Sequence, residues 1–283
     1  MKILRYFPRK TKATPDDTNV FIGNRMPTLF DEADEIHISV TWTWDKPHAE
    51  RMAKVWSVVA PVKIGGPAYG NPGGEFEPGM YLKKGYVITS RGCPNHCWFC
   101  RVPKQEGVLR EIEIKDGWNV LDNNLLACSK NHIERVFKML EKQSHRINFS
   151  GGLEAARLED WHVEWLARLK PKSAWFAYDT PNDWGPLVLA ADLLKQYKLI
   201  GRAHTYRCYV LVGWLQDTLE KADRRLQDVA KLGLMPMAML LDHGESKKKD
   251  KEEWIHFARN WANPFVVGAK MKSFYPQVNP IQE

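Results

Sequence analysis

The chain has 283 residues, of which 44% are hydrophobic and 27% are charged, a composition that excludes disordered and collagen-like proteins and fits one or two globular domains. No apolar run approaches the roughly 20 residues of a bilayer span, and the N-terminus lacks the apolar core of a signal peptide, so the sequence predicts a cytoplasmic protein. Forty-one basic and 34 acidic residues give a net charge of +7, which favours anionic partners but does not establish nucleic-acid binding.

The first part of the chain has the pattern of a short βαβ unit. Residues 36–40 alternate as a strand, apolar residues recur at helical spacing over residues 49–56, and residues 62–64 form a second strand. Such a unit is a fragment of a Rossmann-like layer and is too short for a whole dinucleotide-binding domain.

A segment rich in Gly and Pro divides the chain. Residues 65–79 cannot sustain a helix or a central strand, because Gly and Pro interrupt both. We therefore predict a truncated Rossmann-like N-terminal cap over residues 1–79 and a larger domain over residues 80–283.

The larger domain alternates between strand and helix patterns. Strands are predicted over residues 86–89, 119–121, 146–149, 174–178, 208–212 and 237–241. Amphipathic helical patterns follow all of these strands except the first. The alternation predicts a parallel sheet with right-handed crossovers, either doubly wound or curled into a partial barrel, with ligands at the C-terminal ends of the strands.

Three of the five cysteines lie within eight residues, directly after the first of these strands. Cys93, Cys97 and Cys100 have the spacing C-x3-C-x2-C. Three thiolates at this spacing can hold three irons of a 4Fe–4S cube and leave the fourth iron open. Structural zinc would need a fourth ligand, for which His96 is available, but the usual paired C-x2-C spacing is absent. We therefore favour the cluster.

The cysteine pattern, with Phe99 as the aromatic residue of C-x3-C-x-aromatic-C, resembles that of the radical S-adenosylmethionine (radical SAM) superfamily. The flanking residues 86–94 are similar to the branch that includes cobalamin-dependent and methylthiotransferase-like members. The resemblance implies a six-strand (β/α)6 partial TIM barrel with a C-terminal helix, preceded by the small N-terminal Rossmann-like βαβ cap.

This resemblance implies a radical SAM enzyme with a 4Fe–4S cluster and SAM as cofactors. The cluster would chelate the methionyl group of SAM and pass one electron to the sulfonium, releasing a 5′-deoxyadenosyl radical that abstracts hydrogen from the substrate. A reductant such as flavodoxin or ferredoxin would supply the electron. The short, basic, aromatic-rich chain looks like small radical SAM proteins of bacteria and phages, so a nucleobase or nucleotide is one candidate among small-molecule substrates. We expect no membrane partner.

The end of the second strand supplies the first candidate contacts to SAM. Many family members carry a Gly-Gly-Glu motif there, and this chain has Asp122 and Asn124 instead. Both are candidates for binding the SAM amino group. The alternative is an ordinary polar turn between a strand and a helix.

Later strand ends supply further candidates for SAM contacts. Gly151 and Gly152 follow the third strand and would permit close backbone approach, or would serve only a tight turn. Arg157 could pair with the SAM carboxylate or face solvent. Asp179 and Gly213 end the fourth and fifth strands, which places them near the ribose in such a fold.

Five further residues have weaker signals. We expect Cys128 and Cys208 to pack as small apolar residues. Trp42 and Trp44 follow a strand and could lie over the barrel mouth, and His243 follows the sixth strand and could face substrate or solvent.

We expect no cobalamin in this chain. The N-terminal unit resembles a shortened cobalamin-binding domain, but the D-x-H-x-x-G signature is absent and about 80 residues are too few for the full domain. A truncated cap that helps to close the barrel is the preferred interpretation.

Two other classes of protein stay open, an iron–sulfur electron carrier and a basic nucleic-acid-binding module that bears zinc or a cluster. Either would need only the cysteine loop. In this chain a predicted six-strand scaffold accompanies the loop, as expected for a small-molecule site. We therefore favour an enzyme.

Overall fold

In the computed structural model the chain is a mixed α/β protein with parallel sheets. The structure describes residues 1–70, 73–200, 204–241 and 248–274, and His243 lies outside them. The chain divides into two compact units, Met1–Gln143 and Ser144–Glu283. None of the described helices is both long and apolar enough to cross a bilayer.

Short strands and three helices make up the described part of the first unit. The strands are β1 (Ile3–Phe7), β2 (Val20–Ile22), β3 (Glu35–Ser39), β4 (Val62–Gly65), β5 (Tyr86–Val87), β6 (Ser90–Arg91), β7 (Arg110–Glu111) and β8 (Asn119–Val120). The helices are α1 (Lys46–Trp56), α2 (Val102–Gln105) and α3 (Lys130–Glu141).

The first four strands form one parallel sheet in the order β2-β1-β3-β4. The βαβ unit predicted from the sequence is confirmed as β3, α1 and β4. Strands β1 and β2 add to it, and the sheet therefore has its topological switch between β1 and β3, where α/β sheets bind ligands.

Helix α1 covers this sheet with an apolar face. Pro47 stands in its first turn, where a missing N–H costs nothing, and Ala49, Met52 and Trp56 recur on the buried side. The Trp56 ring is fully buried and stacks on Phe21 with a centroid distance of 4.9 Å. This packing fixes the helix on the sheet.

The remaining strands of the first unit surround the cysteine loop. Strand β5 pairs in parallel with β8, and β6 pairs with β7 in an antiparallel hairpin. The cysteines lie between β6 and α2, inside the connection of that hairpin.

The second unit alternates strictly between strand and helix up to its last two helices. Its elements are β9 (Asn148–Phe149), α4 (Asp160–Leu169), β10 (Ser173–Tyr178), α5 (Trp184–Gln196), β11 (Tyr206–Val212), α6 (Leu219–Lys231), β12 (Met235–Leu240), α7 (Lys248–Ala262) and α8 (Pro264–Phe274). The four strands pair in parallel in the order β12-β11-β10-β9.

The two faces of this second sheet differ in burial. Most residues at even positions are buried, and they include Phe176, Cys208, Val210 and Ala238. Several residues at odd positions are half-buried or exposed, and these include Trp175, Ala177, Tyr209, Met237 and Met239. One face therefore carries the core, and the other leaves aromatic and thioether side chains partly accessible.

Each strand predicted in the larger domain has a counterpart in the structure. The six-strand partial barrel and the N-terminal cap stay predictions, because each compact unit is described by itself. The boundary predicted at residue 79 falls inside the first compact unit and also stays a prediction.

Replacing Trp56 with Ala should destabilise the first unit strongly. The ring has no exposed surface, and its loss leaves a cavity that costs about 3–5 kcal/mol of the free energy of unfolding. Val58→Ala removes a side chain that is 80% exposed and should change stability by less than about 0.5 kcal/mol. Urea unfolding of both variants makes the comparison, and equal values would contradict the packing described.

Candidate functional site

The cysteine loop presents its thiols unequally. Cys97 is exposed, and Cys93 and Cys100 are half-buried. The Cys100 N–H donates to the carbonyl of Cys97 at 3.0 Å, and the Val102 N–H, which begins α2, donates to the Cys100 sulfur at 3.4 Å. The loop thus turns tightly between its second and third cysteines, and none of the three thiols is fully buried.

Gly92 sets the approach of the chain to Cys93. Its φ of +80° lies in the left-handed region, and a Cβ built there would stand 2.2 Å from the carbonyl oxygen of Val108. Only glycine fits. The Cys93 N–H donates to the carbonyl of Gly107 at 3.4 Å, so the returning chain holds the backbone of the first cysteine.

The predicted SAM ligand Asp122 is 1% exposed at the end of β8. One of its oxygens accepts from the Thr89 N–H at 2.7 Å, and the other accepts from the hydroxyls of Thr89 at 2.6 Å and Ser90 at 2.7 Å. Burial raises the pKa of this carboxyl, and the three hydrogen bonds oppose the rise. Its role toward SAM stays a prediction.

The two residues after Asp122 also reach the cysteine loop. Asn123 Oδ1 accepts from the Gly92 N–H at 3.0 Å, and Asn124 Nδ2 donates to the Cys93 sulfur at 3.5 Å. Asn124 is buried. Sequence analysis singled out Asn124 for a different role and missed Asn123, although its place between two candidates at a strand end was a usable signal.

The donor set fits an iron–sulfur cluster. Among the residues described, no group of three or more His, Cys, Asp or Glu side chains converges as it would around one metal ion. A 4Fe–4S cluster does not require the three thiolates to converge on one ion. Each thiolate binds a different iron, and the three sulfurs stand apart. Three accessible thiols on one loop meet that requirement chemically. Phe99 lies between the second and third of them and packs edge-on against Trp98, with a centroid distance of 5.4 Å.

Cys128 and Cys208 lie in the core, as expected of packing residues. Cys128 is 8% exposed, and burial raises its pKa to about 12. Burial also raises the pKa of Cys208, which has no exposed surface. Neither thiol is available as a thiolate near neutral pH.

The other predicted SAM contacts lie in the second unit. Gly151 and Gly152 follow β9, and Gly152 has a φ of +103°, where a Cβ would stand 3.8 Å from the carbonyl oxygen of Trp175. Arg157 is exposed and pairs with Glu154 at 2.6 Å. The Gly213 N–H, directly after β11, donates to the Asp217 carboxylate at 2.9 Å. The three glycines lie just beyond C-terminal strand ends, whereas Arg157 lies eight residues after β9. The contact of each with SAM stays a prediction.

Asp179 follows β10 and is electrostatically unusual. Burial, together with the nearby charge of Asp183, raises its pKa from the ordinary 3.8 to about 7. It is therefore a carboxyl group that can gain or lose a proton near neutral pH. Nothing tests its predicted place near the ribose.

A cavity of about 650 Å³ opens in the first unit, at the switch point of the four-stranded sheet. Phe7, Ser39 and Gly65 line it from the C-terminal ends of β1, β3 and β4. Its size lies within the range of about 300–1,000 Å³ typical of small-molecule sites. The lining combines apolar and aromatic surface with the cations Arg9 and Lys63.

This cavity and the cysteine loop share a wall. Arg91 and Glu106 both line the cavity, and they flank the loop on its two sides. Arg91 donates from Nη1 to Glu106 at 3.4 Å and from Nε to the carbonyl of Gly74 at 2.9 Å. A ligand in the cavity would therefore lie against Arg91, two residues before Cys93 in the chain. Sequence analysis missed this cavity, because its lining residues are brought together only by the sheet.

Trp42 and Trp44 stack on each other in the first unit, with a centroid distance of 5.1 Å. Trp42 lines the cavity and is 42% exposed. Their predicted place over a barrel mouth stays a prediction.

The comparisons with known proteins find similarity among solved structures. No family model and no curated protein matches the sequence. Among solved structures, the chain is similar to the radical SAM methyltransferase TsrM from Kitasatospora setae, with a TM-score of 0.60 and 11% sequence identity. The match covers 84% of this chain and 74% of that one. The resemblance to the radical SAM superfamily is thereby confirmed at the level of the fold.

The same match corrects the expectation about cobalamin. TsrM was solved with cobalamin and a 4Fe–4S cluster bound. A chain with this fold, matched over most of the present one, therefore accommodates cobalamin, and our exclusion of that cofactor was wrong. The exclusion relied on a missing signature and a short N-terminal unit, and the sequence had not revealed the two extra strands or the cavity beside them.

Asp179 should make stability depend on pH. Its folded-state pKa is raised, so the folded chain binds the proton more tightly, and stability should fall as pH rises from about 4 to about 7. Asp179→Asn should flatten that slope and stabilise the chain at pH 8 by about 1–3 kcal/mol. Asp192→Asn, at an exposed carboxylate, should leave the slope unchanged. Chemical unfolding across this pH range measures both, and a slope that persists in Asp179→Asn would contradict the assignment.

Proposed function

We propose that this protein is a radical SAM enzyme that holds one 4Fe–4S cluster on Cys93, Cys97 and Cys100. The observation that carries the proposal is the coincidence of these accessible thiols, at C-x3-C-x2-C spacing, with a fold similar to that of a radical SAM methyltransferase. An electron carrier or a nucleic-acid-binding module would account for the loop but not for that fold.

When bound, the cluster supplies the electron that cleaves SAM reductively to methionine and a 5′-deoxyadenosyl radical, which abstracts hydrogen from the substrate. A one-electron donor of the flavodoxin or ferredoxin class provides that electron. Protein groups orient SAM and keep out water and stray hydrogen donors. For the orienting groups we propose the predicted strand-end residues, namely Asp122, Asn124, Gly151, Gly152, Arg157, Asp179 and Gly213.

We further propose that the cavity of the first unit holds cobalamin. The corrin ring is a broad flat surface edged with amide groups, and the cavity offers it aromatic and apolar walls together with the hydroxyls of Thr11, Ser39 and Thr41. His37 also lines the cavity, but its two ring nitrogens contact Tyr81 at 2.6 Å and Glu35 at 2.8 Å. The proposal therefore assigns no protein ligand to cobalt.

The substrate we propose is a nucleobase or nucleotide. The partly accessible face of the second sheet supports it, since Trp175 and Tyr209 stack there with a centroid distance of 4.2 Å. The Arg207 guanidinium lies 5.1 Å from the Trp175 ring centre. Aromatic rings and a guanidinium are the groups on which bases stack, and the cation favours an anionic phosphate.

Replacing any one of Cys93, Cys97 and Cys100 with Ala should abolish the cluster. Anaerobic reconstitution of the parent with iron and sulfide should give about four irons per chain and a brown chromophore, and each variant should give close to none. With dithionite and SAM, the parent alone should form 5′-deoxyadenosine.

The matched control replaces the buried Cys128 and Cys208 together. That variant should keep its iron, because neither thiol belongs to the loop. A triple Ala variant of the loop cysteines that binds as much iron and sulfide as the parent would refute the cluster assignment.

Filling the cavity should block cobalamin. Ser39→Trp places a large ring at the end of β3, inside the cavity, and should weaken the binding of hydroxocobalamin at least about tenfold. Ser57→Trp makes the same exchange at an exposed site just after α1 and should bind like the parent. Equilibrium dialysis with the cobalamin absorbance as readout compares them. Failure of the parent to bind, or equal affinity in both variants, would overturn this placement.

A further inference from the structure

The residues that follow β8 run alongside the start of the cysteine loop. The Leu121 N–H donates to the carbonyl of Val87 at 2.9 Å, which continues the pairing of β5 and β8 beyond their ends. From this point three consecutive side chains, those of Asp122, Asn123 and Asn124, each contact the segment that leads into the loop.

Asp122 fixes the segment before the loop. Its carboxylate receives three hydrogen bonds from Thr89 and Ser90, and the Thr89 hydroxyl lies 3.2 Å from Nε2 of the buried His132. The Ile112 N–H donates to the carbonyl of Thr89 at 3.0 Å. Three separate segments of the first unit thus hold this stretch, namely the residues after β8, helix α3 and the residues after β7, so its position has little freedom.

The backbone around Cys93 is held just as closely. The Gly92 N–H donates to Asn123, and the Cys93 N–H donates to Gly107 from the other side. The backbone of Cys93 is therefore held, and the buried Asn124 amide donates to the Cys93 sulfur at 3.5 Å. Such a distance is ordinary for an N–H donor and a sulfur acceptor, since sulfur is larger than oxygen.

A donor at this sulfur has an electrostatic consequence for a bound cluster. Reduction adds negative charge that spreads over the cluster and its thiolate ligands. An N–H dipole pointing at one of those sulfurs stabilises the reduced state more than the oxidised state, which raises the reduction potential. A buried amide does this more strongly than an exposed one, because little water screens it.

We propose that Asn124 tunes the reduction potential of the cluster through its hydrogen bond to the Cys93 sulfur. Asp122 and Asn123 hold the Asn124 amide and the Cys93 sulfur in their relative positions. This inference rests on the proposed function, because it requires the cluster on the three cysteines. It gives Asn124 a role that is exercised before SAM binds.

The test is the midpoint potential of the reconstituted full chain, measured by an EPR-monitored redox titration without SAM, so that no SAM contact contributes. Asn124→Leu keeps a similar volume but has no donor, and its potential should lie below that of the parent. Asn124→Asp places a negative acceptor against the sulfur and should lie lower still. Asn131→Leu makes the same exchange as the first variant at an exposed position of α3 and should match the parent.

The outcomes separate the two proposals. If the parent and both Asn124 variants hold equal iron and have equal potentials, the tuning role is refuted while the cluster assignment stands. If the parent itself takes up no 4Fe–4S cluster, the proposed function fails and this inference fails with it. Should Asn124→Leu not assemble a cluster, the potential of Asn124→Asp decides, and a value equal to that of the parent refutes the proposal.

Discussion

The buried carboxylate of Asp122 holds the cysteine loop at the end of β8. Moving a carboxylate out of water costs several kcal/mol unless hydrogen bonds replace its hydration. Here the replacement donors are Thr89 and Ser90, which directly precede the loop. Any rearrangement that moves these two residues leaves the charge buried without donors. The hydrogen bonds of Asp122 therefore fix the segment that leads into the loop, while Asn123 and Gly107 hold the backbone at the first cysteine.

The same region joins the two sites of the first unit. Arg91 follows Ser90 in the chain, lines the cavity, and pairs with Glu106 on the far side of the loop. Arg91 and Glu106 therefore border the cysteine loop and also form part of the cavity wall.

Periodicity predicted most of the longer elements. Alternating and helical patterns gave β3, α1 and β4, and every strand and helix of the second unit except α8 has a predicted counterpart. No pattern predicted the short strands β2, β6 and β7, whereas the equally short β5, β8 and β9 lie within longer predicted strands. Strand β1 is a continuous buried run beside a proline, which has no alternation to detect.

The sequence by itself predicted the candidate cluster ligands, because three cysteines at fixed spacing on one loop define a donor set without regard to the rest of the fold. The alternation over residues 36–40 likewise predicted β3. Only the tertiary structure decided the contacts of Asn123 and Asn124 with the loop, which join residues about 31 positions apart, and the cavity whose walls come from several strand ends. Such features depend on strand order and packing, which local patterns do not encode. For that reason the missing motif misled us about cobalamin.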